Sequence, residues 1–214
     1  LVELSIEGCP VTDVGIANVA RLSNLRDLTL IDLPITDRSI KSLGRVHHVE
    51  SVSLWDVALS DLGLAGVSTC REIAYLGLAS VPIKGTGFHE LATLPHLQIV
   101  SLEDCRLSDP GFQSLCRLPH LKLLSLESVQ LEPQSLRHLT SCGDLRMLWL
   151  ESSIDDAQLA SLPVVPGIRS LNLSRSHVGD AGLAFLSRCP NLQRLTLDET
   201  DVTDSGLPHL CTLK

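Results

Sequence analysis

Three glutamates, Glu103, Glu127 and Glu151, stand 24 residues apart. Carboxylates held side by side can share acid/base work when burial raises one pKa, and together they attract a cation. His48, His96 and His120 fall in a column of the same period, and imidazoles are common metal ligands. The seven cysteines contain no C-x-x-C pair, the spacing that a zinc knuckle or a dithiol site needs. H-E-x-x-H, the phosphate-binding glycine loop and G-x-S-x-G are absent. Asp155-Asp156 sits where a helix begins, so its charge suits the helix dipole. These groups form no catalytic constellation, and the chain is expected not to be an enzyme. Glu103 and Glu127 as an acid/base pair would need a desolvated pocket that an open sheet does not offer.

The spacing itself is the larger signal. Units begin at Leu1, Leu25, Val49, Ile73, Leu97, Leu121, Leu145, Ile168 and Leu192. Every step is 24 residues except the one from Leu145 to Ile168, which loses a residue beside Ser153 and Ile154. Position 6 of the unit reads Ile6, Leu30, Leu54, Leu78, Leu102, Leu126, Leu150, Leu173 and Leu197. Positions 4, 11, 16 and 19 are equally apolar throughout. A compact α/β domain has no need of such a clock; a solenoid does.

Within each unit, positions 3 to 7 alternate polar and apolar, which predicts a short strand. A segment such as Thr12-Asp13-Val14-Gly15-Ile16 follows, with Thr, Ser or Asp available to cap a helix. Apolar residues at 16, 19 and 22 suit a short α or 3₁₀ helix with one buried stripe. Proline closes several units, as in Pro95-His96, Pro119-His120 and Pro190-Asn191. One unit cannot bury its own edges, so neighbours must stack. Strands about 4.8 Å apart and helices about 10 Å apart bend the stack, with the sheet on the concave side. The expected architecture is an α/β solenoid of nine repeats over residues 1–214, one domain. Neither Leu1 nor Lys214 carries a polar cap, so a longer parent protein is expected.

Composition agrees. The chain is 44% hydrophobic but only 3% aromatic, so leucine fills the interior. A net charge of −8 disfavours nucleic acid and anionic membranes as partners. No apolar run is long enough to span a bilayer. Cys70, Cys142 and Cys189 at position 22, Cys116 and Cys211 at position 20, and Cys9 and Cys105 at position 9 all read as small buried packing residues. Free buried thiols suit a reducing compartment, which predicts an intracellular, cytoplasmic location. No cofactor or metal is expected.

The pattern LxxLxLxxxxVTDxGLxxLxxL, clearest over Leu1–Leu22, Ile168–Cys189 and Leu192–Leu213, resembles the leucine-rich-repeat family across the whole chain. The Thr-Asp-x-Gly-Leu core is similar to repeats of intracellular F-box-type and ribonuclease-inhibitor-like proteins, and to short bacterial and protozoan repeats. The resemblance implies an arc that binds proteins, with substrate capture for a ubiquitin-ligase-like or signalling assembly as one specialisation. It departs from the family at position 9, where many repeats carry a hydrogen-bonded Asn ladder. Here that column holds Cys9, Leu33, Val57, Val81, Cys105, Val129, Ser153, Ser176 and Thr200. The turn must satisfy its backbone in another way.

Positions 3, 5 and 7 should face out of the sheet. Position 3 places Tyr75, Ile99, Leu123 and Met147 in consecutive units, a stripe about 14 Å long. Trp55 and Trp149 lie at its ends. Exposed contiguous apolar surface marks a contact site, and Trp and Tyr are typical anchors; otherwise another segment covers it. Position 7 carries Glu103, Glu127 and Glu151, where a basic partner would relieve like-charge repulsion; otherwise the column is a solvated acidic face. Arg106, Arg146 and Lys122 stand near enough to neutralise part of it. The expected partner is a protein with basic and apolar side chains, and the oligomeric state is left open. A regulator of an enzyme and a spacer without a specific ligand are the alternative functions.

Overall fold

The computed structural model describes residues 1–214 except Arg45, His47, Thr212 and Lys214, so the expectation about a bare end at Lys214 lies outside the described residues. Nine short strands form one parallel sheet in chain order: β1 (Glu3–Glu7), β2 (Asp27–Ile31), β3 (Ser51–Trp55), β4 (Tyr75–Ala79), β5 (Ile99–Glu103), β6 (Leu123–Glu127), β7 (Met147–Trp149), β8 (Ser170–Asn172) and β9 (Arg194–Thr196). The repeat is the register. Leu76 pairs with Val100, Val100 with Leu124 and Leu124 with Leu148, each one unit on. At the short unit Leu148 still pairs with Leu171, so the missing residue is absorbed after β7 and the sheet keeps phase. The last three strands are shorter than expected, but the ladder runs beyond them: Leu150 N–H donates to Asn172 O at 2.8 Å and Ser152 N–H to Ser174 O at 3.1 Å.

Between strands run short helices of both expected kinds. Asp13–Val19, Asp37–Leu43 and Asp109–Cys116 are α-helical, while Thr86–Thr93 and Ser135–Ser141 are 3₁₀. Residues three apart eclipse in a 3₁₀ turn, which stacks Leu136 over Leu139, and both are buried. Leu76, Leu78, Ile83, Phe88, Leu91 and Leu94 show how one unit fills the core, from columns 4, 6, 11, 16, 19 and 22. Phe88 and Phe112 take the position-16 slot with no exposure and close the middle of the stack with rings. Capping follows expectation in part. The Ser108 hydroxyl accepts Gly111 N–H, and Asp155 and Gln158 form a capping box, while the Thr12 side chain makes no cap bond.

The residues of the Thr-Asp-x-Gly segment mainly join one unit to the next. Asp13 accepts the Thr36 N–H and hydroxyl, both at 2.8 Å, and the Ser39 hydroxyl. Asp37 accepts the Ser60 N–H and hydroxyl, and Asp180 those of Thr203. Asp61 accepts three backbone N–H groups, from Lys84, Gly85 and Gly87. Close approach to the preceding unit explains the glycine found at position 15 in most units. A Cβ on Gly63 would lie 2.3 Å from Asp37 Oδ1, and one on Gly182 2.3 Å from Asp156 Oδ1. Where serine replaces glycine, at Ser39 and Ser135, the hydroxyl turns the close approach into a hydrogen bond to Asp13 or Asp109.

This carboxylate clasp holds the strand-to-helix edge of the stack, the edge where many repeats use an Asn ladder. At position 9 one hydroxyl rung survives: Ser153 Oγ donates to Leu126 O of the preceding unit at 2.9 Å and accepts Val129 N–H at 3.1 Å. Elsewhere in the column Cys105 Sγ points at three carbonyls, and Ser176 and Thr200 bond only within their own turns. The cysteine expectation needs one correction. Cys70, Cys105, Cys116, Cys142 and Cys189 are buried, but Cys9 and Cys211 are exposed. Both lie in the first and last of the nine units, which meet one neighbour each within the described residues, so columns closed elsewhere stand open there.

Asp61→Ala should orphan three backbone donors and cost about 1–3 kcal/mol, with faster amide exchange confined to Lys84, Gly85 and Gly87. The clasp also sets an acid limit. The Thr203 hydroxyl and then its N–H hold the Asp180 carboxyl below its ordinary value of 3.8. Burial acts to raise Asp13 and Asp109, but the Ser39 and Thr36 bonds in one case, and His138 and Arg137 in the other, outweigh it. A carboxylate depressed by folding contributes stability that is present above its unfolded pKa and lost as pH falls through the folded value. The denaturation midpoint should therefore fall below about pH 4, and an Asp13→Asn/Asp180→Asn double variant should flatten that limb.

Candidate binding face

The apolar side chains of positions 4 and 6 point into the core, which leaves positions 3, 5 and 7 on the other side of the sheet. The burial pattern of β5 and β6 alternates accordingly. Tyr75, Ile99, Leu123 and Met147 pair in consecutive strands, and each is half-buried. They share one wall and are not sealed inside the chain. Trp149 stands beside Met147, between Ser125 and Asn172, and is half-buried. Trp55 faces out at 38% exposure, next to Ala79 on β4.

Glycine matters at one point of this wall. A Cβ on Gly77 would lie 2.6 Å from the Tyr75 hydroxyl and 3.1 Å from its ring. The only tyrosine of the chain therefore lies flat along its own strand, over a residue with no side chain. Gly77 and Ala79 are both buried beneath the outer face.

The acidic column is divided. Glu103 pairs with Glu127 in register. Glu151 lies past the end of β7, with its carbonyl accepting Ser128 N–H at 2.9 Å. Arg175 Nη2 reaches back across two units, 2.6 Å from Glu151 Oε2 and 2.9 Å from Glu127 Oε1. Asn172 donates to the other Glu151 oxygen at 2.7 Å. The Glu151 hydrogen bond, then the Glu127 charge, raise the Arg175 pKa further. Among the described residues Glu103 has no ion-pair partner. Burial pushes its carboxyl up, and the Glu127 and Asp104 charges push the same way.

Arg175 was absent from the sequence expectation. Arg146 instead turns to Asp144 and to the Gly143 and Leu145 carbonyls, and neither Arg106 nor Lys122 pairs with the column. The missed signal lies in position 8, which is left-handed in every unit: Gly8, Asp32, Asp56, Ser80, Asp104, Ser128, Ser152, Arg175 and Glu199 all have φ between 47° and 59°. Asp and Gly tolerate that conformation, and an arginine adopts it at a cost. Arg175 is the single base in a column of small and acidic residues.

A Leucine Rich repeat family model matches residues 93–116 and 168–187. Two solved structures align over all of the chain. One is internalin C2 from Listeria monocytogenes (20% identity, TM-score 0.57, 77% of that chain covered). The other is the ectodomain of the plant membrane receptor kinase GASSHO1/SCHENGEN3 from Arabidopsis thaliana, in complex with Casparian strip integrity factor 2 (21% identity, TM-score 0.54). The chain is a leucine-rich-repeat solenoid. It spans 29% of the plant ectodomain's length. No curated protein matches the sequence.

Other chemistry-bearing groups of the leucine-rich-repeat arc lie in its turns and helices. Asp109 gathers the Ser135 hydroxyl, Arg137 and His138 Nε2, the last 3.1 Å from both oxygens. These are residue types of a nucleophile triad in the wrong order, because the hydroxyl and the imidazole both converge on the carboxylate instead of on each other. His96 lies 3.9 Å from Glu72. A groove of about 470 Å³ at the strand-to-helix turns is lined by Lys84, Arg106, Gln130 and Glu132.

Gly77→Ala should leave the arc folded, because the group displaced is the free end of a side chain. It should also lift the Tyr75 ring off the strand. The single set of tyrosine ring signals in an NMR spectrum would report this, and an unchanged ring environment would contradict the placement.

Proposed function

We propose that this arc binds a partner protein through the concave face of its sheet and acts by recognition, without catalysis. The observation that carries the reading is the in-register stripe Tyr75–Ile99–Leu123–Met147, flanked by Trp55 and Trp149. Folding demands apolar residues at positions 4 and 6; it makes no such demand at position 3. Four consecutive large apolar side chains left half in water favour a contact surface, and Trp and Tyr supply the anchors that dominate such interfaces. The acidic column beside the stripe fits a partner with basic as well as apolar side chains. The plant receptor ectodomain, solved in complex with Casparian strip integrity factor 2, supports the idea that this fold presents a surface to another molecule.

The finer role is capture of a substrate for a ubiquitin-ligase-like or signalling assembly, on the strength of the Thr-Asp-x-Gly-Leu resemblance. Five buried free thiols favour an intracellular setting.

A Tyr75→Asp/Leu123→Asp variant should lose the partner by at least about thirty-fold and keep its circular dichroism and denaturation midpoint. Undiminished binding in that variant would leave the arc a spacer. Arg175→Ala frees Glu127 and Glu151, so it should strengthen binding of a basic partner several-fold at low salt and less at high salt. An equal effect at both salt concentrations would remove the acidic column from the interface.

A further inference from the structure

On the reading that the concave face is a docking surface, we infer that Trp55, Tyr75 and Glu103, set around Ala79, form a notch that takes one lysine or arginine side chain of the partner protein. The register fixes the frame. Trp55, Ala79 and Glu103 are neighbours across β3, β4 and β5, which puts the indole and the carboxylate about 10 Å apart at their backbones. Ala79, at 7% exposure, is the floor between them. The Tyr75 ring lies along the same strand over Gly77. An aromatic side chain on one side, a carboxylate on the other and a methyl floor match a cation on an aliphatic stem. The charge meets the carboxylate and the indole π face, and the methylenes pack on the small residues.

Charge selects a cation. Glu103 is exposed on the face beside two further acids, Glu127 and Asp104, and among the described residues it has no compensating ion pair. Among the described residues no cation pairs with Glu103. Arg175 closes the other end of the column on Glu127 and Glu151, Arg71 donates to Thr93 O, and Lys84 and Arg106 line the turn groove without an ion pair to Glu103. Asp56 and Asp104, at their left-handed turns, add negative potential at the rim. With Arg175 in place, Glu103 is the carboxylate of the Glu103–Glu127–Glu151 column left without an ion pair among the described residues, and it lies beside the aromatic end of the stripe.

The test uses short synthetic peptides of leucine and serine that differ only at a central Lys, Arg, Gln or Glu, followed by NMR on the Trp55 indole and Ala79 methyl signals. The Lys and Arg peptides should shift both signals saturably and bind at least about tenfold more tightly than the Gln peptide. Glu103→Gln should abolish that preference. Equal shifts with the Lys and Gln peptides overturn the notch, as does no saturation by Lys or Arg peptide up to about 1 mM or a preference that survives Glu103→Gln. The wider reading fails separately: if Tyr75→Asp/Leu123→Asp leaves capture of the partner unchanged, the sheet is not the docking surface. If apolar peptides shift the Leu123 and Met147 signals whatever their central residue, the surface stands and the notch does not.

Discussion

A unit of 24 residues has two open edges and no way to close them alone, so everything in this arc depends on one repeat meeting the next in phase. Three contacts enforce that phase. The parallel ladder joins position 4 to position 4 and continues into the left-handed turn at position 8. The leucine columns interlock beneath it. On the helix-start edge a carboxylate crosses to the next unit's backbone and hydroxyl, as Asp13 does to Thr36 and Asp180 to Thr203. Each contact is short-ranged, so stability accumulates along the stack and a defect is felt mainly by its two neighbours.

Stacking has a consequence for binding. Once strands are held about 4.8 Å apart in register, any residue type repeated at one outward position becomes a continuous surface. Tyr75, Ile99, Leu123 and Met147 become a stripe in this way, and Glu103 and Glu127 become adjacent charges. The scaffold's own bonds use positions that point inward or lie at the edges. The outward columns are thereby released to carry specificity, and their departures from polar residues carry information that a globular core would hide.

Electrostatics then decides which part of that surface is open. Like charges at Glu103, Glu127 and Glu151 would repel along the column. The chain answers with Arg175, placed in a left-handed turn that an arginine occupies at a cost, and with Asn172 on Glu151. That answer reaches two of the three carboxylates. The Asp109 cluster shows the same economy at the helix start, where His138, Arg137 and Ser135 close on a single acid.

The 24-residue period by itself determined the architecture, the register, the inward columns and the identity of the outward wall, because periodicity maps directly onto stacked geometry. Even the short seventh unit, visible as one missing residue, keeps its strand in phase with the others. What the period could not carry was the direction taken by long side chains. Arg175 is 48 residues from Glu127, and its reach across two units depends on where a left-handed turn aims it. The role of Asp13, Asp37 and Asp61 as inter-repeat clasps, when capping alone seemed sufficient, and the exposure of Cys9 and Cys211 were likewise settled in three dimensions. Local sequence encodes what each unit can form, and only packing decides which neighbour meets each group and which group is left facing water.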